Sequence, residues 1–250
     1  MVTVSVITAV YNARDTVSQA LQSLFTQSYP AIESIVIDGA SSDGTLQVLE
    51  ALRPRLSVLV SEPDMGIYDA LNKGIRRASG DVVGFLHADD EYAHPRAIAH
   101  VAAAFEDSAV DAVYGNLVYV RRDDTSKVLR YWRAGSFSSR ALRRGWMPPH
   151  PTFFVRREIY ERLGDFDIQF RIAADYDSIL RFLARGDVRV HYLDEVLVRM
   201  RLGGASNRSL SNILRKSRED YLAVRRNGVG GAFTVVMKNF SKLHQFWNRG

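Results

Sequence analysis

The chain has 250 residues, a formal net charge of +5 and no cysteine. This length allows one large domain with a substantial buried core, and the absence of cysteine excludes disulfides and thiolate metal sites. No apolar run reaches the roughly 18 residues that a membrane-spanning helix needs, and the first residues lack the basic region of a signal peptide. We therefore expect a cytoplasmic protein, either soluble or lying peripherally on the inner face of the plasma membrane.

The positive charge is concentrated at the C-terminal end. Residues 201–250 contain ten Lys and Arg against two acidic residues, a net charge of +8, so the first 200 residues have a net charge of −3. A basic tail is suited to phosphates, to nucleic acid or to an anionic membrane. A solvated helical face explains it equally well.

Short apolar strands alternate with amphipathic helices over the first 90 residues. Strands are predicted at residues 4–9, 35–37, 56–60 and 82–86. Helices are predicted between them, with apolar residues at helical spacing: Val17, Leu21 and Leu24; Leu46, Leu49 and Leu52; Ile67, Leu71 and Ile75. Near-continuous apolar strands in this order predict an α/β fold, with a mostly parallel central sheet and helices on both faces.

The regular alternation ends after residue 110. We predict a hairpin from strands 112–120 and 127–132, an irregular loop at 146–151, a strand at 152–155 and helices at 156–163 and 176–184. Two short strands follow at 188–192 and 196–200. The basic tail is predicted to form two helices, roughly 207–226 and 231–247.

Ligands bind such sheets beyond the carboxyl ends of the strands. Polar residues follow three predicted strands there: Tyr11-Asn12, Asp38 and Asp89-Asp90. Two adjacent carboxylates suit Mg²⁺ or Mn²⁺ together with substrate phosphates. An exposed turn that caps the helix near Pro95 is the alternative.

The loop from Asp38 to Thr45 offers a carboxylate and backbone donors to a nucleotide, although an ordinary strand-to-helix loop looks the same. It has no Gly-Lys-Ser/Thr, and no Gly-x-Gly-x-x-Gly follows the first strand, which excludes the P-loop and dinucleotide-binding motifs. Asp175 precedes a predicted helix, as either its cap or a general base. His150 is either a surface loop residue or an acceptor contact.

Taken together, these segments resemble the family 2 inverting glycosyltransferases of the GT-A fold. The matching residues are 4–12, 37–45, Asn72-Lys73-Gly74, Gly80-Asp81, 85–90 and 174–177. Residues 61–74 are especially similar to the branch that builds bacterial exopolysaccharide and colanic-acid-type repeat units. The resemblance implies a GT-A domain over residues 1–206, with a nucleotide-sugar-binding half at 1–110, an acceptor half at 111–206 and a basic helical extension at 207–250.

The resemblance also implies site residues. The nucleotide-sugar site would comprise Thr8, Tyr11, Asn12, Asp38, Asn72, Lys73, His87, Ala88 and Asp89. Asp89 and Asp90 would hold a divalent cation, Mn²⁺ or Mg²⁺, and Asp175 would be the catalytic base. His150 and Tyr176 are the acceptor candidates. In this family an Asp often stands where this chain has His87, so His87 must replace a contact to the ribose or that contact is lost.

The expected reaction is transfer of a sugar from a nucleotide-diphosphate sugar, with UDP favoured, to a hydroxyl of a glycan or lipid-linked acceptor. The basic helices would then contact an anionic membrane. A sugar nucleotidyltransferase lacks support because no glycine-rich basic loop follows the first strand. A nucleotide-sugar sensor would need no base at Asp175, and a nucleic-acid binder would not explain the acidic residues at the strand ends.

Overall fold

The computed structural model describes residues 1–185, 187–202 and 210–244. Its strands are β1 (Val4–Val10), β2 (Ile32–Asp38), β3 (Val58–Ser61), β4 (Val82–Phe85), β5 (Glu91–Tyr92), β6 (Ala112–Val120), β7 (Val128–Trp132), β8 (Phe154–Arg156) and β9 (Val190–Arg201). Its helices are α1 (Val17–Phe25), α2 (Thr45–Leu52), α3 (Ile67–Ile75), α4 (Ala97–Ala104), α5 (Ser139–Arg143), α6 (Arg157–Leu163), α7 (Ala174–Arg185), α8 (Leu210–Arg226) and α9 (Ala232–His244). Short 3₁₀ turns lie at Arg53–Arg55 and His150–Thr152.

The first four strands form the parallel part of the sheet, in the order β3-β2-β1-β4. β1 pairs with β2 along its whole length, from Val4 opposite Ile32 to Val10 opposite Asp38. All seven residues of β1 are buried, because helices cover both faces of this part of the sheet. The α/β fold predicted from the sequence is confirmed.

The second half of the sheet is mixed. β8 pairs antiparallel with β4 and with β6, β9 pairs parallel with β6, and β5 pairs antiparallel with β9. β7 forms the predicted hairpin with β6. Parallel pairing therefore predominates only among β1–β4, because β7 follows β6 in a hairpin and β8 runs antiparallel to both of its neighbours.

The two strands predicted at 188–192 and 196–200 are one continuous strand, β9. The pairing of β9 with β6 shifts register around Asn116. This irregularity lets residues 193–195 continue the strand although their polarity suggested a turn. The two-residue β5 and the short α5 were not predicted.

The C-terminal helices pack on the body of the protein. α8 contacts α7, and α9 contacts α8. Ala223, Val224 and Val235 of these helices belong to the same buried cluster as Ile7 and Phe85 of the central sheet. The expected boundary at residues 206 and 207 lies outside the described residues, as do residues 245–247 of the second predicted tail helix.

Candidate active site

A large cleft opens beyond the carboxyl ends of β1 and β4. Its volume is ≈ 1110 Å³, and it extends to α7, α8 and α9. Eight of the residues expected in the site line it: Tyr11, Asn12, His87, Ala88, Asp89, His150, Asp175 and Tyr176. The fold therefore joins residues from both halves of the chain around one cavity.

The loop after β1 is fixed to the loop after β2. Asn12 has a left-handed backbone (φ 47°), its N–H donates to Ser41 Oγ at 2.8 Å, and its Oδ1 accepts from the Ser42 N–H at 2.9 Å. Tyr11 lies beside it with 65% of its side chain exposed. The Tyr11 ring is thus available to a ligand in the cleft.

Asp38 is fully buried and does not line the cleft. Its carboxylate accepts hydrogen bonds from Ser41 Oγ (2.5 Å), the Ser41 N–H (3.1 Å) and Ser61 Oγ (2.6 Å). Asp64 lines the cleft instead, and its Oδ2 would lie 2.3 Å from a Cβ added to Gly39. The position of Asp38 therefore does not support its predicted contact with the nucleotide sugar. Gly39 allows the close approach of Asp64.

Three further expected residues support the fold around the cleft without lining it. Thr8 is fully buried. Asn72 holds the backbone of Phe166, donating to its carbonyl at 2.8 Å and accepting from its N–H at 2.9 Å. Lys73 donates to the Pro63 carbonyl at 2.7 Å and pairs with Glu62 at 3.1 Å. The side chains of Asn72 and Lys73 are thus committed to internal contacts, which a sequence motif does not reveal.

The two carboxylates after β4 differ in environment. Asp89 lines the cleft, whereas Asp90 is fully buried and accepts from the Arg201 N–H at 3.3 Å. Burial, followed by the charge of Asp89, raises the pKa of Asp90 well above its usual range. Asp90 Oδ2 makes no hydrogen bond. An exposed capping turn is therefore wrong for this pair, and a cation that Asp89 binds from the cleft fits the donor chemistry.

His87 and His150 lie together in the floor of the cleft, with their ring centroids 5.8 Å apart. Burial lowers the pKa of His150 to about 4 and also lowers that of His87. The negative charges of Asp89 and Asp175 both raise the pKa of His87 and so partly offset the effect of burial. Both imidazoles are neutral near pH 7, and His150 is not the surface residue that was one alternative.

Asp175 lies in the first turn of α7 and does not cap it. The first helical hydrogen bond runs from the Asp177 N–H to the Ala173 carbonyl at 2.9 Å. Asp175 Oδ1 accepts from the Tyr176 N–H at 2.8 Å and lies 3.2 Å from Tyr68 Oη, whose single proton is shared with a nearer acceptor, the Ile172 carbonyl at 2.8 Å. Burial and the Asp175 charge raise the pKa of Tyr68 well above its usual range, so Tyr68 remains a donor.

The helix that bears Asp175 is held by a carboxylate from α8. Glu219 accepts from the N–H groups of Arg171 (3.2 Å), Ile172 (2.8 Å) and Ala173 (3.0 Å). Nothing in the sequence signals this role, because Glu219 lies in the middle of a polar helix 44 residues after Asp175.

The basic tail also supplies part of the cleft wall. Arg215 and Lys216 of α8 and Lys238 of α9 line it. Lys238 pairs with Asp220 at 2.7 Å, with both side chains almost fully buried, and its Nζ lies 3.3 Å from the centroid of the Tyr176 ring. The described part of the extension is therefore built into the site.

Residues 5–164 match the model of the family described as Glycosyl transferase family 2. The chain belongs to this family. An uncharacterized glycosyltransferase of Mycobacterium tuberculosis is 36% identical over 182 residues, which cover 72% of this chain and 68% of the relative. The protein is accordingly a glycosyltransferase, and the matched segment ends before α7.

Two solved structures of glycosyltransferases resemble the fold. TarS 1–349 of S. aureus, in complex with UDP-GlcNAc, has a TM-score of 0.70 and 20% identity and covers 91% of this chain and 66% of its own. A mannosyltransferase from Pyrobaculum calidifontis, in complex with GDP-Man and Mn²⁺, has a TM-score of 0.66 and 22% identity and covers 96% of this chain and 69% of its own. The glycosyltransferase has the GT-A fold.

Proposed function

We propose that this glycosyltransferase transfers a sugar from a nucleotide-diphosphate sugar to an acceptor hydroxyl with inversion at the anomeric carbon. The observation that supports it best is that Asp89 and Asp175 line one cleft and both act electrostatically on His87. The proposed metal ligand, Asp89, and the proposed base, Asp175, therefore border the same cavity. The UDP-GlcNAc bound by TarS supports a uridine nucleotide as the first candidate.

Asp175 is the proposed base. Its carboxylate removes the proton of the acceptor hydroxyl while that oxygen attacks the anomeric carbon from the side opposite the diphosphate. The hydrogen bond from the Tyr176 N–H and the neighbouring Tyr68 hydroxyl, which Asp175 shares with the Ile172 carbonyl, orient Oδ1. Burial lowers the pKa of both His87 and His150, which makes these rings weaker proton acceptors than an ordinary histidine.

Asp89 is the proposed ligand of a divalent cation, with Tyr11, Asn12 and Asp64 around the nucleotide. A bound Mg²⁺ or Mn²⁺ stabilises the charge of the leaving diphosphate as a Lewis acid. The Mn²⁺ in the mannosyltransferase complex supports this class of ion. His87 occupies the position of the Asp that this family often has and is proposed to contact the ribose.

A thermal-shift panel tests the donor site. UDP, GDP, CDP and dTDP are each measured with Mn²⁺, with Mg²⁺ and with EDTA. We expect one nucleotide to raise the unfolding temperature only when metal is present. Asp89→Ala should remove the metal-dependent shift. Asp43→Ala is the control, because that carboxylate also borders the cleft but bonds to Thr45. The absence of any nucleotide shift in folded protein contradicts the proposed function.

The acceptor is proposed to be a lipid-linked glycan of a surface polysaccharide, reached at the inner face of the plasma membrane. No helix in the described part of the chain is long and apolar enough to span a bilayer. The support is the outer face of α8 and α9, whose large apolar side chains are 41–74% exposed: Ile213, Leu214, Tyr221, Leu222, Phe233, Val236 and Phe240.

Basic residues lie on the same outer face of α8. Arg218 and Arg225 are exposed on α8, while the two acidic residues of that helix, Glu219 and Asp220, are buried. An amphipathic helix with aromatic and cationic residues is suited to the surface of an anionic bilayer, where each cation contributes about 1 kcal/mol.

Vesicle co-sedimentation tests this contact. The double variant Phe233→Ser/Phe240→Ser should bind anionic vesicles more weakly than the wild type. Val128→Ser/Leu129→Ser removes an exposed apolar pair from β7, outside the tail, and should bind like the wild type. Undiminished binding by the α9 variant contradicts the membrane contact. Point variants are required because deleting residues 207–250 would also remove Glu219 and the cleft wall.

A further inference from the structure

Two histidines and a glutamate meet at a place that the proposed mechanism does not use. His94 lies between β5 and α4, His100 lies in α4 and Glu195 lies in β9. Glu195 Oε1 is 2.8 Å from His94 Nε2, and Glu195 Oε2 is 2.7 Å from His100 Nδ1. None of the three lines the cleft.

We infer that His94, His100 and Glu195 form a binding site for a divalent transition-metal ion, with Zn²⁺ as the best match. One nitrogen or oxygen from each residue lies within 4.8 Å of the others. Two imidazoles and one carboxylate are the ligand set of an open zinc site, in which water takes the fourth position. Mg²⁺ is disfavoured because it prefers oxygen ligands.

The nitrogen of His94 that faces the cluster contacts Glu195 without forming a hydrogen bond. His94 Nε2 is shielded from solvent and makes no hydrogen bond, although Glu195 Oε1 is close, so the carboxylate lies off the N–H direction. Zn–ligand bonds of about 2.0–2.2 Å at a tetrahedral angle separate neighbouring ligand atoms by about 3.3 Å. A small outward movement of Glu195 therefore admits the ion, and the half-exposed side chains leave it a path from solvent.

Binding changes the tautomers of both rings. His94 Nδ1 accepts from the Arg96 N–H at 3.2 Å, so a neutral His94 has its proton on Nε2. Coordination through Nε2 moves that proton to Nδ1 and breaks this hydrogen bond. His100 Nδ1 donates to Glu195 Oε2 at 2.7 Å, and its proton moves to Nε2 when Nδ1 coordinates. Because two hydrogen bonds are lost, we expect reversible binding.

The ion would join two segments behind the catalytic cleft. β5 directly follows Asp89 and Asp90 and pairs with β9 through Glu91 and Tyr92. His94 lies on the segment that follows β5, and Glu195 lies on β9, the strand that pairs with β5. A bound ion would therefore fix the base of the loop that presents Asp89, without contacting substrate.

Zinc titration of the full chain, without a histidine tag and freed of metal with EDTA, tests the inference. Isothermal titration with Zn²⁺ alone should show one equivalent bound at this cluster, and Zn²⁺ should raise the unfolding temperature where Mg²⁺ does not. His94→Gln and Glu195→Gln should each weaken this binding by at least about tenfold, since even outer partners of metal ligands contribute tenfold or more.

Two histidine variants separate this site from others. His191→Gln removes an exposed histidine of β9 and should leave zinc binding unchanged. His150→Gln should also leave it unchanged, since it tests the His87–His150 pair in the cleft. Zinc binding that is lost in His150→Gln and kept in His94→Gln overturns the inference, as does the absence of zinc binding in the wild type. Unfolding in EDTA establishes that each variant is folded.

Discussion

At the scale of single residues, the carboxylate of Asp175 is oriented by neighbouring groups that carry no positive charge. The Tyr176 N–H donates to Oδ1, and the Tyr68 hydroxyl lies between Oδ1 (3.2 Å) and the Ile172 carbonyl (2.8 Å). An asparagine at this position preserves an acceptor oxygen for both donors but has no basic carboxylate. Asp175→Asn is therefore a test of proton removal that leaves the surrounding geometry in place.

We expect Asp175→Asn to lower kcat by about 10²–10⁴-fold, the usual contribution of general-base catalysis, with donor affinity unchanged. Steady-state kinetics and the nucleotide-induced thermal shift measure the two quantities. The unfolding temperature should remain close to that of the wild type. Near-normal turnover would show that another group is the base.

His150 makes stability depend on pH. Burial lowers its pKa to about 4, whereas a histidine in the unfolded chain titrates near about 6.5. Between these values the unfolded chain binds the proton and the native protein does not. The free energy of unfolding therefore falls as the pH drops from about 6.5 to about 4, by about 3 kcal/mol in total for this group.

His150→Gln should reduce this loss. Urea unfolding at about pH 7 and about pH 5 measures it, with exposed His191→Gln as the control. The variant should lose less stability on acidification than either the wild type or His191→Gln. An equal loss in all three proteins would contradict the neutral, buried state of His150.

The sequence identified the loops of the site better than the side chains within them. Tyr11, Asn12, Asp89 and Asp175 were predicted because they follow strands or precede a helix, and all line the cleft. Asp38 was predicted on the same grounds, yet its carboxylate turns inward to serine donors. Side-chain direction depends on partners that are distant in the chain, and a local pattern does not contain them.

At the scale of elements, α7 is positioned by α8. The three backbone N–H groups that directly precede α7 donate to one buried carboxylate, that of Glu219. Removing a buried acceptor leaves its donors unsatisfied, at about 1–3 kcal/mol for a group left unpaired. The position of Asp175 therefore depends on a contact from the tail.

Glu219→Ala should lower both the free energy of unfolding, by about 1–3 kcal/mol or more, and kcat. Glu219→Gln retains an acceptor oxygen and should recover much of both. Urea unfolding and steady-state kinetics are the measurements, and Glu158→Ala, an exposed glutamate in the first turn of α6, is the control. If Glu219→Ala and Glu219→Gln behave alike, the carboxylate does not act through these N–H groups.

Predictions of elements succeeded where apolar periodicity was strong. β1, β2, β4, α1, α3 and the hairpin of β6 and β7 were all predicted. β9 was predicted as two strands because residues 193–195 include two acidic residues. The register shift near Asn116 accommodates them in one continuous strand. β5 has two residues, too few for any periodic signal.

At the scale of the whole molecule, the tail packs on the body beside a buried ion pair between its own two helices, α8 and α9. Lys238 and Asp220 are 2.7 Å apart with side chains 3% and 1% exposed, and Lys238 also lies over the Tyr176 ring. Breaking such a pair leaves an uncompensated charge in the interior, which costs about 3–5 kcal/mol. The sequence suggested that the basic residues of the tail face solvent, but Lys238 is buried.

We expect Lys238→Met to lower the free energy of unfolding by about 3–5 kcal/mol. Lys127→Met, which breaks the exposed pair with Asp124, should cost less than about 1 kcal/mol. Chemical unfolding followed by both tryptophan fluorescence and circular dichroism measures the change. A similar cost for both variants would contradict a buried, coupled pair at Lys238.

The capping of α7 by Glu219 limits how this enzyme can be recombined with its relatives. A chimera that exchanges only the tail, from about residue 207, would pair a foreign α8 with the native α7 and lose the fitted carboxylate. A junction at Gly164, where the family match ends and the backbone has a left-handed φ of 89°, keeps α7, α8 and α9 together. The contact between α7 and α8 is therefore expected to transfer intact only with a segment from residue 165 onward.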